Sequence, residues 1–274
     1  MITPEVTLNM PAQSLVPGTT HTYSDSLGQE VDNLVAVDAS RLQPLLPPGY
    51  VIVPASNFFG VGRANQGVVA IVNFRGMHPL IDGISVLDND VAIDVGIVVA
   101  EPAAAAGAGL SIPGAFHLYT LAIYTNDPLY AVVLFADAMP VQYVPGITYQ
   151  RNMDDATGVG VVTVNVPNLG SPFMTVTTGH GYALATGALD AVFWHNSLIG
   201  QTALHFHDIP YRIGNASGQV YVKPQSWLAA LLNDGGSGAC PPDPTTGYAC
   251  VVAPSFNLHF DNGGQGTLLL IQAK

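Results

Sequence analysis

Charged residues are scarce in this 274-residue chain. Asp, Glu, Lys and Arg make up only 9% of it, against about 25% in most soluble proteins. Glutamate and lysine, which usually cover helix surfaces, are limited to Glu5, Glu30, Glu101, Lys223 and Lys274. Val, Thr, Tyr and Gly are plentiful instead, and the first three favour strands. The composition therefore predicts a mainly β protein.

Basic residues are rarer still, and the net charge is −12. Without a Lys/Arg-rich segment to neutralise phosphates, the chain is not expected to bind nucleic acid or an anionic membrane surface. The longest apolar region, 91–110, is interrupted by Asp94, Glu101 and Pro102, so no membrane span is predicted.

Only two cysteines are present, Cys240 and Cys250, in the segment GACPPDPTTGYAC. The Pro-Pro and Thr-Thr-Gly turn signals between them predict a short loop closed by a disulfide. Such a loop would add about 3 kcal/mol of stability. Two free thiols are the alternative, and the spacing does not fit a zinc ribbon. A disulfide with so little lysine and charge favours a secreted or periplasmic location.

Eleven short segments bounded by Gly, Pro, Asn or Asp are predicted as strands, among them 130–135 and 202–208. Short helices are predicted from Asp38, which can cap the segment DASRLQPLLP, and over 226–232. In the first helix, Leu42, Leu45 and Leu46 should face a core. Many short strands with two or three short helices predict a large antiparallel sheet closed into a barrel or cone.

The chain shows no repeat and no linker, so residues 1–274 are expected to form a single domain. Residues 1–30 are polar and rich in turn signals, and we expect them to form an extended N-terminal arm.

Residues Tyr119–Tyr143 read YTLAIYTNDPLYAVVLFADAMPVQY. This stretch resembles the acetoacetate decarboxylase family, in which a strand, an N-[DE]-P turn and a second strand lead to a Pro-Lys-Lys motif. The motif proline matches Pro140, and the two lysine positions are Val141 and Gln142. In that family the first lysine forms a Schiff base with a keto acid and the second lowers its pKa. The resemblance therefore implies the scaffold without the Schiff-base chemistry.

The resemblance extends from about residue 30 to the C-terminus, through the segments LLPPGY, GHGYALATGALDAV, TALHFHDIPYRI and LHFDNGGQGTLLLI. It implies a β-barrel or cone with an apolar central cavity. Segments 79–115 and 224–252 look like insertions, and the second contains a predicted helix and the two cysteines.

The resemblance also implies which residues line the cavity. Gln142 and Tyr143 could bind a carbonyl or hydroxyl group, and Phe135 and Met139 could form apolar walls. The family also uses an arginine and a glutamate near its cavity. Arg75 and Glu101 at strand ends are candidates for these roles, and solvent-exposed strand ends are the alternative. These four positions and two candidates come from the resemblance alone.

Two histidines lie two positions apart on a predicted strand. His205 and His207 should therefore share one face, opposite Leu204 and Phe206, and we expect that face to point to the interior. The imidazoles could act as an acid–base pair. They could also bind a metal ion with a third ligand such as His195, or simply hydrogen-bond to loops.

Together these patterns predict a secreted enzyme that acts, without a Schiff base or cofactor, on a small hydrophobic carbonyl or hydroxyl compound. A lyase, cyclase or hydrolase reaction would use His205, His207, Gln142 and Tyr143. Two alternatives stay open: a non-catalytic binding protein on the same scaffold, and a metal-dependent enzyme built on the two histidines. The expected partner is a small hydrophobic molecule, and a homo-oligomer is possible.

Overall fold

The computed structural model describes residues 20–59, 63, 65–85, 87–168, 170–198, 200–232, 239–260 and 265–271. Fourteen strands form one sheet. They are β1 (His21–Ser24), β2 (Leu27–Asp38), β3 (Gln66–Met77), β4 (Leu80–Ile81), β5 (Asn89–Val98), β6 (Phe116–Thr125), β7 (Val141–Tyr143), β8 (Thr148–Met153), β9 (Val159–Val166), β10 (Phe173–Ser197), β11 (Gly200–Val222), β12 (Ala239–Cys240), β13 (Ala249–Phe260) and β14 (Gln265–Ile271).

Five short α-helices accompany the sheet in the described ranges, more than the two or three predicted. They are α1 (Ala39–Leu42), α2 (Ser56–Phe59), α3 (Ala104–Ala108), α4 (Pro128–Ala136) and α5 (Trp227–Leu232). None of the described helices has both the length and the apolar character needed to cross a membrane.

The strands are ordered β4-β1-β14-β11-β13-β2-β3-β5-β6-β10-β9-β8. Because β10 also pairs with β11, the strands from β11 to β10 form a ring. Two of the described pairings are parallel, β10 with β6 and β7 with β6. The predicted mainly β ring is confirmed, but the sheet is mixed rather than purely antiparallel.

The hairpin of β10 and β11 is far longer than the short strands predicted within it. The two strands have 25 and 23 residues, and their pairing shifts register between Gly179 and Tyr182, Tyr182 and Ala185, and Leu189 and Ala191. Such irregularities bend a strand. One part of β10 can therefore pair with β9 and a later part with β6.

The predicted helix after Asp38 is present as α1. The Asp38 carboxylate accepts a hydrogen bond of 2.8 Å from the Ser40 backbone N–H, as an N-cap does. Leu42 and Leu46 are buried as predicted, whereas Leu45 is 43% exposed because the chain tightens into a 3₁₀ turn at Gln43–Leu45.

Residues 130–135 form part of α4 rather than the predicted strand. The Asp127 carboxylate accepts hydrogen bonds from the backbone N–H groups of Leu129 and Tyr130, at 2.7 and 3.0 Å. Pro128 stands in the first turn, where it needs no hydrogen-bond partner. This capping signature overrides the strand preference of the apolar run that follows.

The N-terminal region differs from the predicted extended arm. Residues 1–19 lie outside the described residues, while β1 pairs with β14 and β4 and β2 lies between β13 and β3. The predicted disulfide is confirmed: Cys240 and Cys250 are directly opposite on β12 and β13, with Cα atoms 5.0 Å apart.

The central strands β2, β3 and β5 bury both faces. On β2, Leu34 and Ala36 belong to one apolar cluster, which also includes residues of α4. Val35 and Val37 belong to a second cluster, which includes residues of α5. Both faces are covered, so the period-two alternation of these strands decides which cluster each side chain joins.

Candidate functional site

A cavity of about 170 Å³ lies on the α4 side of β2, β3 and β5. Its walls are mostly aliphatic and aromatic, and they carry four carboxyl groups. An engineered apolar cavity of about 150 Å³ holds one benzene molecule, so this cavity suits a ligand built on a single ring. The lining residues are Tyr23, Glu30, Asp32, Leu34, Phe58, Ala70, Val72, Phe74, Asp90, Ala92, Asp94, Phe116, Tyr130, Leu189, Ala191, Phe193, Phe206, Ile209, Tyr211, Ile213, Phe256 and Leu258.

Strand alternation brings the four carboxyl groups to this cavity. Glu30 and Asp32 are two apart on β2, and Asp90 and Asp94 are four apart on β5, so each pair shares one face of its strand. Asp32 is paired in register with Val72 of β3, and Val72 with Asp94. Because neighbouring strands lie about 4.8 Å apart, the Cα atoms of Asp32 and Asp94 are about 10 Å from each other.

Asp94 is the least compensated of these groups. Asp94 is only 3% exposed. Its carboxyl oxygen Oδ1 has no hydrogen-bond partner among the described residues. Burial raises the pKa of Asp94 to about 8, because the ionised form loses its hydration. At neutral pH Asp94 is therefore mostly a neutral acid that can donate a proton or a hydrogen bond.

Glu30 and Asp32 form a hydrogen-bonded pair. Burial raises the pKa of both carboxyls, and the charge of Asp32 raises that of Glu30 further. The hydrogen bond between them raises the pKa of Glu30 and lowers that of Asp32. Glu30 therefore keeps the shared proton, and Asp32 is the member that ionises first.

Asp90 lies in a compact hydrogen-bonded corner. The Tyr23 hydroxyl is 3.0 Å from both carboxylate oxygens, and the Gly76 backbone N–H donates to Oδ1 at 3.0 Å. A Cβ atom on Gly76 would come within 2.2 Å of the Tyr23 hydroxyl oxygen, so this close approach requires glycine. Burial raises the pKa of Asp90 to about 8, partly offset by the hydrogen bond from Tyr23.

Helix α4 places Tyr130 in the cavity wall. The rings of Tyr130 and Tyr23 are 5.7 Å apart. Burial raises the pKa of Tyr130 well above its usual value, and the charges of Asp94 and Asp90 raise it further. Tyr130 is therefore a neutral hydroxyl beside two of the carboxyl groups.

No lining residue of this cavity is Lys, Arg or His within the described part of the chain. Among those residues, no three His, Cys, Asp or Glu side chains are grouped so that they could hold a metal ion. The polar groups that line this cavity are carboxyls and phenol hydroxyls, which can donate and accept protons.

Val141, which the resemblance matches to the Schiff-base lysine, lies at the start of β7. Val141 is paired in register with Ile123 of β6 and packs against the cavity-side apolar cluster. Gln142 and Tyr143, which follow Val141, were expected to line the cavity, but both are exposed. The Gln142 Oε1 accepts a hydrogen bond of 2.7 Å from Asn168 outside the cavity.

Phe135 and Met139, the two residues predicted to form apolar walls, do not line the cavity either. Phe135 is 75% exposed, whereas its neighbour Leu134 in α4 is fully buried. Met139 is buried in the cavity-side cluster but does not line the cavity itself.

His205 and His207 share one face of β11, as predicted, with ring centroids 5.2 Å apart. The cavity is on the other face, where Phe206 lines it. Neither imidazole therefore lines the cavity, although the His205 side chain is only 13% exposed. His205 Nε2 instead lies 3.8 Å from an Asp190 carboxylate oxygen.

The remaining candidates lie elsewhere. The Arg75 guanidinium donates to Asn89 Oδ1 at 2.9 Å, the Glu101 carboxylate accepts from the Ser111 hydroxyl, and His195 Nδ1 is 3.0 Å from the Thr120 carbonyl oxygen. None of the three lines the cavity.

Sequence reasoning missed the four acids, although a signal was present. Asp90 and Asp94 flank Ala92 in an otherwise largely apolar strand, and Glu30 and Asp32 share the parity of Leu34. In a chain with so few charges, acids inside apolar strands point to a buried site.

No protein-family model and no curated protein matches this chain. Solved structures do resemble it. An acetoacetate decarboxylase-like enzyme from Sphingomonas wittichii RW1 has a TM-score of 0.55 and 11% identity, over 97% of this chain and 98% of that one. The enduracididine biosynthesis enzyme MppR with HEPES bound has a TM-score of 0.55 and 10% identity, over 95% and 91%.

MppR complexed with the condensation product of pyruvate and imidazole 4-carboxaldehyde is similar as well. Its TM-score is 0.51 at 10% identity, over 94% of this chain and 90% of that one. Identities this low concern the fold, and they agree with the ring of strands described above. The chain has the acetoacetate decarboxylase-like fold.

Proposed function

We propose that this protein is an enzyme that performs acid–base chemistry, without a Schiff base, on a small hydrophobic carbonyl or hydroxyl compound bound in the cavity. The observation that carries the proposal is Asp94, a buried carboxyl with an unpartnered oxygen in an aromatic-walled cavity. Buried acids with strongly raised pKa values destabilise the folded protein when they ionise, and they concentrate at active sites.

The neighbouring acids support two distinct roles. Asp32 ionises before Glu30 and is suited to act as the base, while Asp94 has a pKa of about 8 and is suited to act as the acid. The pKa of Asp32 is about 7 and that of Asp94 about 8, so near pH 7 Asp32 is partly ionised while Asp94 is mostly protonated. Asp32 would take a proton from the carbon next to a carbonyl, and the C–H electrons would form the C=C bond of an enol. Asp94 would donate its proton to the carbonyl oxygen.

Tyr130 supports the same step from α4. Its neutral hydroxyl can donate a hydrogen bond to the oxygen on which negative charge develops. Lyase and isomerase reactions both begin from such an enol, so the proposal concerns proton transfer rather than one final product.

The cavity also favours a class of substrate. Four carboxyl groups without a basic residue in the lining repel an anionic keto acid. The nine aromatic side chains favour an apolar body. The Cys240–Cys250 disulfide supports our further proposal that the enzyme works in an oxidising compartment, secreted or periplasmic.

The test follows hydrogen–deuterium exchange at the carbons next to the carbonyl of cyclohexanone, by NMR in D₂O. The wild-type protein should accelerate exchange over buffer. Asp32→Asn and Asp94→Asn should lower the rate by roughly 10²–10⁴-fold. The control is Asp88→Asn, which removes an exposed carboxyl directly before β5, the strand that carries Asp94.

Exchange no faster than in buffer, with cyclohexanone bound, would contradict the enzyme proposal and leave a binding protein. Equal loss in the Asp88 variant would contradict the assignment of the cavity acids.

A further inference from the structure

The cavity holds more carboxyl groups than acid–base chemistry requires. Two carboxyl groups suffice for proton transfer, yet four line this cavity, and the described lining supplies no positive charge. Oδ1 of Asp94 and Oδ1 of Asp32 have no hydrogen-bond partner among the described residues. Buried polar groups are normally hydrogen-bonded, so a ligand could supply the partner that these two oxygens lack.

Aromatic side chains surround the same oxygens. Phe74 is paired in register with both Glu30 on β2 and Ala92 on β5, so its ring stands between the two acidic strands. Tyr130 and Phe206 add further aromatic walls. Aromatic faces attract cations, and this attraction grows where water is excluded.

We infer that the carbonyl or hydroxyl compound bound in this cavity is also a small organic cation, with a protonated amine on its apolar ring, and that its ammonium group donates hydrogen bonds to the unpartnered Oδ1 atoms of Asp94 and Asp32. This inference rests on the proposed function, because it assigns the substrate class of the same cavity.

An organic cation fits this cavity better than a metal ion. The described acids are not grouped as metal ligands. Asp32 and Asp94 stand on either side of Val72, in register across three strands. An ammonium group can donate hydrogen bonds in several directions to separate carboxylates, and its apolar body can contact the aromatic walls.

The test compares benzylamine with benzyl alcohol by isothermal titration calorimetry at pH 8. The two probes have the same shape and differ in charge. Benzylamine should bind at least tenfold more tightly, and Asp94→Asn should remove most of this preference. The control variant Asp88→Asn should keep it. Asparagine has the shape of the protonated carboxyl, and thermal unfolding of the variant verifies that it is folded.

A second measurement needs no variant. Benzylamine stays protonated from pH 5 to pH 8, so any pH dependence reports on the protein. Affinity for benzylamine should fall as the pH is lowered, by up to about tenfold per pH unit, because protonated carboxyls cannot pair with the ammonium. Affinity for benzyl alcohol should change little. The other titratable groups that line this cavity are Glu30, Asp32, Asp90, Tyr23, Tyr130 and Tyr211.

Benzyl alcohol binding as tightly as benzylamine at pH 8 would overturn the inference, and the exchange assay with cyclohexanone would still decide the proposed function separately. Failure of both probes to bind at about 10 mM would overturn the inference as well. If cyclohexanone exchange were also absent, the proposed function would fall with it.

Discussion

Replacing Asp94 by asparagine should stabilise the protein at neutral pH and change its stability little near pH 4. The reason is the unpaired, buried carboxyl of Asp94, whose pKa is about 8 in the folded protein. In an unfolded chain the pKa of an aspartate is about 4. Between these two values the folded protein holds a proton that the unfolded chain has released.

This difference fixes the sign and the size of the effect. The unfolded state binds fewer protons, so the free energy of unfolding falls as the pH rises through this window. One carboxyl contributes about 1.4 kcal/mol per pH unit, which gives about 4 kcal/mol between pH 4 and pH 7. Asparagine does not titrate, so Asp94→Asn should gain about that amount over wild type at pH 7. Total stabilities are about 5–15 kcal/mol, so the change is readily measured.

Urea denaturation at pH 4, 5.5, 7 and 8, with the disulfide kept oxidised, provides the assay. The difference between Asp94→Asn and wild type should grow with pH and level off near pH 8. The exposed Asp88→Asn variant should follow the wild-type curve. Parallel curves for wild type and Asp94→Asn from pH 4 to pH 8 would refute the argument, because they would mean that Asp94 ionises as freely in the folded as in the unfolded state.

Three further predictions concern other parts of the molecule. Borohydride with acetoacetate should trap no covalent adduct, because Val141 has no amine; an adduct on exposed Lys223, found by mass spectrometry, would contradict this. Thiol titration of denatured, unreduced protein should give a count near zero, and replacing Cys240 and Cys250 by serine should lower the free energy of unfolding by about 3 kcal/mol; two reactive thiols would contradict the pairing. Ala92→Leu, which adds bulk between two cavity acids, should weaken binding of benzylamine and benzyl alcohol alike, as measured by calorimetry; unchanged affinity for both would place their site elsewhere.

The candidate site shows why strand parity alone did not locate the acids of the cavity. The alternation of His205 and His207 against Leu204 and Phe206 was readable from the sequence and holds in β11. Which face meets the cavity was not readable, because both faces of the neighbouring sheet are covered by apolar clusters. A phenylalanine that lines the cavity, with the histidines on the opposite face, satisfies the same alternation as the reverse arrangement.

The sequence by itself determined the mainly β character, the disulfide, the helix cap at Asp38 and the absence of lysine at position 141, since these depend on composition and on contacts between near neighbours. The tertiary structure decided that Tyr130 faces the cavity, and that acids on β2 and β5 lie on either side of β3 in one wall. Glu30 and Asp94 are 64 residues apart in the chain by their numbers. Only the pairing of strands through β3 brings them to one cavity, and only burial there gives their carboxyl groups their unusual proton affinity.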